Sequence, residues 1–353
     1  MIKLGRLAVT VAILSAACAT AEVSQAERPR PYHYVSLSAV LPVAFAFVEP
    51  VKVTHHRHVY GTAWSCLASC VPSVVVYRQG KFTVLNSGLA YSANEHGIVG
   101  GSVLVDPDNF IEQAALFNEG RIELIPRLPS EYTSHVKRLT DSGISLVESV
   151  DASGVSKFYL YNKHHRITTL DFGADPVAFL DVNDDGDIAG TSVTFGPNND
   201  RAFRVDSPSG RKTVLNPTPT EPESWGQRIN ERGDVLGYSF VAGGLERIGI
   251  WNRYGSFRTF FVEGTHAFPT VSNNLLWNDE GLIVITNTSR SDLNSYIVPR
   301  PNVRRKLADL ADALPIWTLI TDVNDNGDLI GSGGSSYFNA EDAFLLERVR
   351  GDF

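Results

Sequence analysis

The 353-residue chain is 43% hydrophobic and 20% charged, a balance that suits a globular protein with a sizeable core and excludes intrinsic disorder. Its net charge of −8, with no basic run longer than "VRRK" at 303–306, argues against a nucleic acid as partner. Gly 29 and Pro 18 are scattered along the chain, which predicts many turns between short elements and favours β structure over a set of linked domains.

The N-terminus holds Lys3 and Arg6, then the run Leu7–Leu14, then small residues, the pattern of an export signal over residues 1–21. A run that short cannot cross a hydrocarbon core of about 30 Å, so the segment reads as cleaved rather than as an anchor helix. Ala19-Thr20-Ala21 offers a cut before Glu22, while "LSAAC" resembles a bacterial lipoprotein box in which Cys18 would be lipidated. The expected address is secreted or periplasmic in the one case and lipid-anchored at the outer membrane in the other. Losing residues 1–21 removes two basic groups and no acid, taking the net charge from −8 to −10. Residues 22–31 read as a short linker and 32–353 as a single domain. No later stretch predicts a membrane span, because the longest apolar run, "LSAVLPVAFAFV", contains Pro42.

Cys66 and Cys70 in "CLASC" are suited to a disulfide in an exported protein. Extended backbone would hold their Cα atoms roughly 13 Å apart at about 3.3 Å per residue. A bridge needs about 4.4 to 6.8 Å, so it requires a tight turn. Two free thiols are the alternative.

Further along, one stretch recurs: "ANEHGIVGG", "LTDSGISLV", "VNDDGDIAG", "INERGDVLG", "WNDEGLIVI" and "VNDNGDLIG". Its glycines are Gly97, Gly143, Gly186, Gly233, Gly281 and Gly327, with spacings of 46, 43, 47, 48 and 46. Apolar segments ending at Tyr77, Phe117, Tyr161, Val205, Trp251, Val298 and Leu346 keep a parallel spacing and count seven units. Each unit reads as four short strands in a meander, a to d, with the N-D-x-G turn between a and b. Strand c is apolar on both faces, as a strand sandwiched between neighbouring sheets must be. The predicted fold is all-β, a seven-bladed β-propeller of four-stranded antiparallel blades. The last unit lacks a strand d, and residues 32–40 are expected to supply it by pairing with Ala343–Arg348, which covers an edge prone to aggregation. "PVAFAFV" at 42–48 repeats "PVAFLDV" at 176–182 and is expected to be strand a of the first blade.

The opening of "DVNDDGDIAG" sets Asp181, Asn183 and Asp185 at alternate positions before Gly186, like the start of a calcium loop. The equivalent stretches "SANEHG", "RLTDSG" and "RINERG" lack the alternating acids, and a ligand at position twelve would be Ser192. The recurring element is therefore read as a tight turn, with Asn or Asp accepting from backbone N–H groups and Gly supplying a positive φ.

This N-D-x-G-x-x-x-G pattern, followed by an apolar strand and then G-x-x-x-x-L, resembles the HAF-repeat family of extracellular bacterial proteins over nearly all of residues 32–349. The family is named for a His-Ala-Phe at the start of strand c. The matching positions here are Ser73, Gln113, Lys157, Arg201, Arg247, Asn294 and Asp342, and the one literal "HAF", at 266–268, falls in a d–a loop. The resemblance implies a propeller-like fold outside the cell and carries no established activity.

The b–c and d–a loops are long and fall on one rim, where binding residues of a rigid scaffold concentrate. Candidate ligand contacts there are Asp106, Asp108, Phe110, Glu223, Trp225 and His266, and further loop acids are Glu112, Glu221, Glu263 and Asp292. "THHRHV" puts His56 and His58 on one face of a strand with His55 opposite, read as a degenerate first turn rather than a metal site. His164 and His165 lie in a c–d hairpin. No G-x-S-x-G elbow, phosphate loop or H-E-x-x-H helix occurs, so no catalytic residue, metal site or cofactor is assigned. The expected function is a monomeric, non-enzymatic binding propeller for an extracellular or envelope protein or glycan. The alternative is a propeller glycoside hydrolase or polysaccharide lyase.

Overall fold

The computed structural model describes residues 30–65, 71–106, 109, 111–173, 176–193, 200–207, 209–216, 223–241, 245–263, 273–287, 295–334 and 342–349. They form seven four-stranded antiparallel sheets. The innermost strands are Phe47–Val53, Leu89–Ala93, Glu131–Leu139, Val177–Val182, Glu223–Ile229, Asn273–Trp277 and Trp317–Val323, in blades 1 to 7. Residues from all seven strands line one central channel. The protein is a seven-bladed propeller. No helix among the described residues is long and apolar enough to cross a membrane.

Each seam between neighbouring blades holds its own apolar cluster. Val48, Val75 and Leu345 join blades 7 and 1, and Leu146, Phe158, Leu180 and Phe203 join blades 3 and 4. The last seam before closure packs Leu276, Val284, Ile320 and Phe344. Burying a side chain such as Phe203 contributes about 2 to 3 kcal/mol, so the sheets are held by faces that no single blade could cover alone.

The ring closes as the spacing predicts. Tyr32–Ser36 pairs antiparallel with Asp342–Arg348, with Tyr32 opposite Arg348 and Ser36 opposite Phe344. Leu37 N–H extends the ladder to Ala343 O at 2.8 Å. Tyr34 Oη and Ser36 Oγ both donate to the Asp342 carboxylate.

The expected strand a at 42–48 is displaced. Residues 42–45 form a turn closed by Phe45 N–H to Pro42 O at 2.9 Å, and the strand runs from Phe47 to Val53. Pro42 cannot donate to a ladder, and pairing of Phe47 with Trp64 sets the register. The likeness of 42–48 to 176–182 is a coincidence of composition.

The N-D-x-G element is a turn. Glycines 97, 143, 186, 233, 281 and 327 have φ between 76° and 86°, a region costly to residues with a Cβ. Asn Oδ1 accepts backbone N–H groups across the turn, as Asn94 does from His96 and Ile98 at 3.1 and 3.0 Å. Asp185 is exposed and Asn183 is buried in its turn. No group of three or more His, Cys, Asp or Glu among the described residues has metal-binding geometry.

Candidate functional site: the central channel and its mouth

The turn asparagines do more than shape turns. Asn94 Nδ2 donates to Thr140 O of the next blade, Asn183 to Asn230 O, Asn278 to Asn324 O, and Asn324 to Thr54 O across the closure, at 2.8 to 3.3 Å. The rim of tight turns is thus laced around the axis, and this fixes where the neighbouring residues point.

Two rings result. Two residues before the turn Asn, or the Thr that replaces it in blades 1 and 3, stand Lys52, Ser92, Arg138, Asp181, Arg228, Leu276 and Asp322. All seven line a cavity of about 180 Å³ inside the channel. Six of the seven inner strands have a bulge immediately before this position. A bulge turns a side chain away from the regular alternation, here into the channel. The exception is Asn273–Trp277, whose register is unbroken, and it supplies the apolar Leu276.

In several blades an inner-strand carbonyl lies so close to strand b that only glycine fits at the second glycine of the repeat. A Cβ on Gly101 would lie 1.8 Å from Leu89 O, and one on Gly237 would lie 1.9 Å from Trp225 O. The equivalent place is taken by Ile285 in blade 6, which has no bulge, and by Val147 in blade 3, which has one.

The second ring follows the turn Asn: His55, Glu95, Asp141, Asp184, Glu231, Asp279 and Asp325. Six of them surround the mouth cavity, of about 190 Å³. Several carboxylates cap a backbone N–H of the preceding blade: Glu95 takes His55 N–H at 2.9 Å, Asp141 takes Glu95 N–H at 2.7 Å, Glu231 takes Asp184 N–H at 2.9 Å and Asp325 takes Asp279 N–H at 2.7 Å. His55 completes the circle, with Nδ1 2.8 Å from Glu95 and Nε2 2.7 Å from Asp325.

The electrostatics of the rings are opposed. In the channel Lys52 pairs with Asp322 at 3.6 Å and Arg138 with Asp181 at 3.2 Å. Burial and then the Arg138 charge push Arg228 down to about 10, against Asp181 and Asp322. Burial pulls Lys52 down, but Asp322, Glu95 and other carboxylates outweigh it and hold it above its ordinary value. At the mouth, burial pushes Glu231 up to about 7; the hydrogen bond from Asp184 N–H opposes this, and the charges of Asp184, Asp279 and Asp141 add to it. Asp279 is raised by burial and by Asp325. Burial lowers His55, yet hydrogen bonds to Glu95 and Asp325 carry it above its ordinary value. The mouth favours added positive charge, and the channel beneath it mixes signs, with three cations and two anions.

Of the expected rim residues, Glu223 and Trp225 are buried. Trp225 is 6% exposed and sits between Phe179, stacked at 5.9 Å, and Phe240, edge-on at 5.2 Å. It belongs to the seam core, because strand a of blade 5 begins at Glu223 and carries the indole inside. Glu223 is 8% exposed, its carboxyl raised by burial and by Asp200. Asp106 accepts from Asn109 N–H and Nδ2 at 3.2 and 2.8 Å, and Glu112 accepts from Ser102 Oγ at 2.6 Å. Glu263 ends the last strand of blade 5. Cys18, Cys66, Cys70, Asp108, Phe110, Glu221, His266 and Asp292 lie outside the described residues. His165 meets Tyr161 and Glu123 at 2.6 and 3.1 Å. His56 and His58 lie with ring centroids 6.0 Å apart and planes tilted by 45°.

No family model matches the chain, and no curated protein matches it in sequence. Its likenesses are to solved propellers. Oligogalacturonate lyase in complex with manganese aligns at a TM-score of 0.58 and 10% identity, covering 91% of this chain and 97% of that one. The β-propeller domain of the Trilobed protease from Pyrococcus furiosus, described as having an open velcro topology, aligns at 0.56 and 9% identity, covering 86% and 95%. A puromycin-hydrolyzing peptidase of Mycobacterium tuberculosis aligns at 0.58 and 12% identity over 92% of this chain and 55% of that one, so the chain spans about half its length. At such identities the likeness shows the fold alone. The closing strand Tyr32–Ser36 contrasts with an open velcro.

Proposed function

We propose that the chain is an exported, non-enzymatic binding propeller that receives a positively charged group of an extracellular or envelope protein at its acidic mouth. The observation that carries this reading is the ring of Glu95, Asp141, Asp184, Glu231, Asp279 and Asp325 on one rim, convergent by fold rather than by local sequence. Like charges held together raise one another's proton affinity, and an ammonium or guanidinium seated among them relieves that repulsion. The export pattern of residues 1–21 and the repeat's resemblance to HAF-repeat proteins support an address outside the cytoplasm.

The polysaccharide-cleaving reading wants two carboxylates facing across a pocket about 5 to 9.5 Å apart. The described loop acids Glu112 and Glu223 lie in different blades, whereas the mouth carboxylates Glu231 and Asp279 line one cavity, so the oligosaccharide arm of the test addresses this reading at the mouth.

The test is titration calorimetry of the mature protein with an end-blocked lysine-rich peptide, and in parallel with neutral and acidic oligosaccharides. The peptide should bind, weaken as salt rises, and lose about tenfold affinity in Asp141→Asn with Asp279→Asn. Binding of an oligosaccharide in preference to the peptide, or peptide affinity unmoved by the double substitution, would overturn the reading.

A further inference from the structure

Arg228 has a different environment from the other channel cations. Lys52 and Arg138 each face a carboxylate. Among the described residues no carboxylate lies within 4 Å of the Arg228 guanidinium, whose Nη1 donates to Gln227 O of its own strand at 2.9 Å. A guanidinium offers five N–H donors, so most of its capacity is turned to the channel. Trp277 lines both cavities beside it. A guanidinium that faces a small cavity with no carboxylate within 4 Å calls for an acceptor, and a carboxylate suits it in bidentate fashion.

An isolated anion entering by the mouth would meet its carboxylates. An anion that carries its own cation would not be repelled, because its dipole would lie along the channel with the positive end outward. The mouth and inner cavities, of about 190 and 180 Å³, admit an amino-acid-sized molecule rather than a drug-sized one. Arg228 and Glu231 are three residues apart in one blade, at most about 10 Å between Cα atoms at 3.3 Å per residue. Charges separated by several methylenes can span up to that distance, which those of glycine cannot.

We propose that the channel binds a small zwitterion, its carboxylate on Arg228 and its ammonium among the mouth carboxylates of Glu231 and Asp279. The proposal deepens the binding reading above and rests on it. An ammonium beside Glu231 also displaces the proton which that carboxyl, raised to about 7, partly retains at neutral pH, so binding should release protons.

Calorimetry of the mature protein with glycine, 6-aminohexanoate, hexylamine and hexanoate tests it without any variant. The expected result is 6-aminohexanoate about tenfold tighter than hexylamine, hexanoate and glycine, with a buffer-dependent heat that reports proton release. Arg228→Gln should bring 6-aminohexanoate down to the level of hexylamine and leave hexylamine unmoved. Hexylamine binding as well as 6-aminohexanoate would overturn the zwitterion and leave the cation-binding mouth standing. Tightest binding of hexanoate, or no binding of any of the four, would also overturn the zwitterion, and the lysine-peptide titration then decides separately on the mouth.

Discussion

Arg57 Nε lies 3.1 Å from Asp328 Oδ2 across the seam where the first blade meets the last. Arg57 occupies the turn place that glycine fills in the other six units, and it adopts the same left-handed backbone, φ 61°. That conformation costs a residue with a Cβ about 1 to 2 kcal/mol. The guanidinium offsets it by serving three groups of blade 7: Asp328, whose side chain is fully buried, Arg348 O at 3.3 Å, and Glu347 at 3.6 Å. The degenerate first turn is therefore a latch.

Arg57→Ala should lower stability by about 1 to 3 kcal/mol, because it takes a charged partner from the buried Asp328 carboxylate, which keeps Asn324 Nδ2 and Arg348 N–H. The partial exposure of Arg57 keeps the loss at the lower end. Arg57→Gly should cost about 1 kcal/mol less than Arg57→Ala, since it loses the same bonds but relieves the backbone. Urea unfolding of both variants measures the difference, and a glycine variant no more stable than the alanine one would show that the backbone is unstrained.

Asn278 does two jobs with two atoms. Oδ1 accepts Leu282 N–H at 2.7 Å and holds the turn, and Nδ2 donates to Asn324 O of the next blade at 2.8 Å. Asn278→Asp keeps the turn acceptor and removes the inter-blade donor, which should cost about 1 to 3 kcal/mol for the buried group left unpaired. Asn278→Ala removes both and should cost more. Thermal unfolding ranks them, and an Asn278→Asp protein as stable as the native sequence would mean that lacing between blades contributes nothing measurable.

The seven units and their closure were legible because a repeat is a long-range signal: glycines at fixed spacing and apolar strand ends survive local noise. The mouth was written in the same repeat, as the acid after Asn in "ANEHG", "VNDDG" and "VNDNG". Each copy alone reads as turn chemistry, and only closure into a circle makes the copies converge. The inner ring was hidden differently, since a bulge breaks the alternation from which facing is inferred. Alternation gives no warning that Lys52 or Arg228 turns into the channel after a bulge at Pro50 or Gly226.

The mouth gives the protein a pH dependence of definite sign. His55 is held above its ordinary value by Glu95 and Asp325, so its contribution is complete below the unfolded-state value of about 6.5 and fades as pH rises through the folded one. Glu231 is raised to about 7, burial first, so the folded state also binds more protons there than the unfolded state. Both groups make stability fall as pH climbs from about 5 to about 8. The charged groups around them are Glu95, Asp141, Asp184, Asp279, Asp325, Lys52 and Asp322. Urea midpoints across that range should decline in the native sequence and flatten in Glu231→Gln and His55→Gln. A slope unchanged in both variants would place the titration elsewhere.

Trp225 decides between a rim residue and a seam residue. Its indole is 6% exposed and touches Phe179 and Phe240, and Phe179 itself has φ 55° at a bulge of its strand. A bulky residue rarely tolerates such a backbone, and stacking on Trp225 is the contact that offsets it. Trp225→Ala should therefore cost about 3 to 5 kcal/mol, the range for a large aromatic removed from a core. Trp225→Phe, which keeps part of the stack, should cost less than half as much. Because the ring faces neither channel cavity, the affinity of the folded Trp225→Phe protein for the lysine-rich peptide should equal that of the native sequence. A loss of affinity without a loss of stability would return Trp225 to the binding surface.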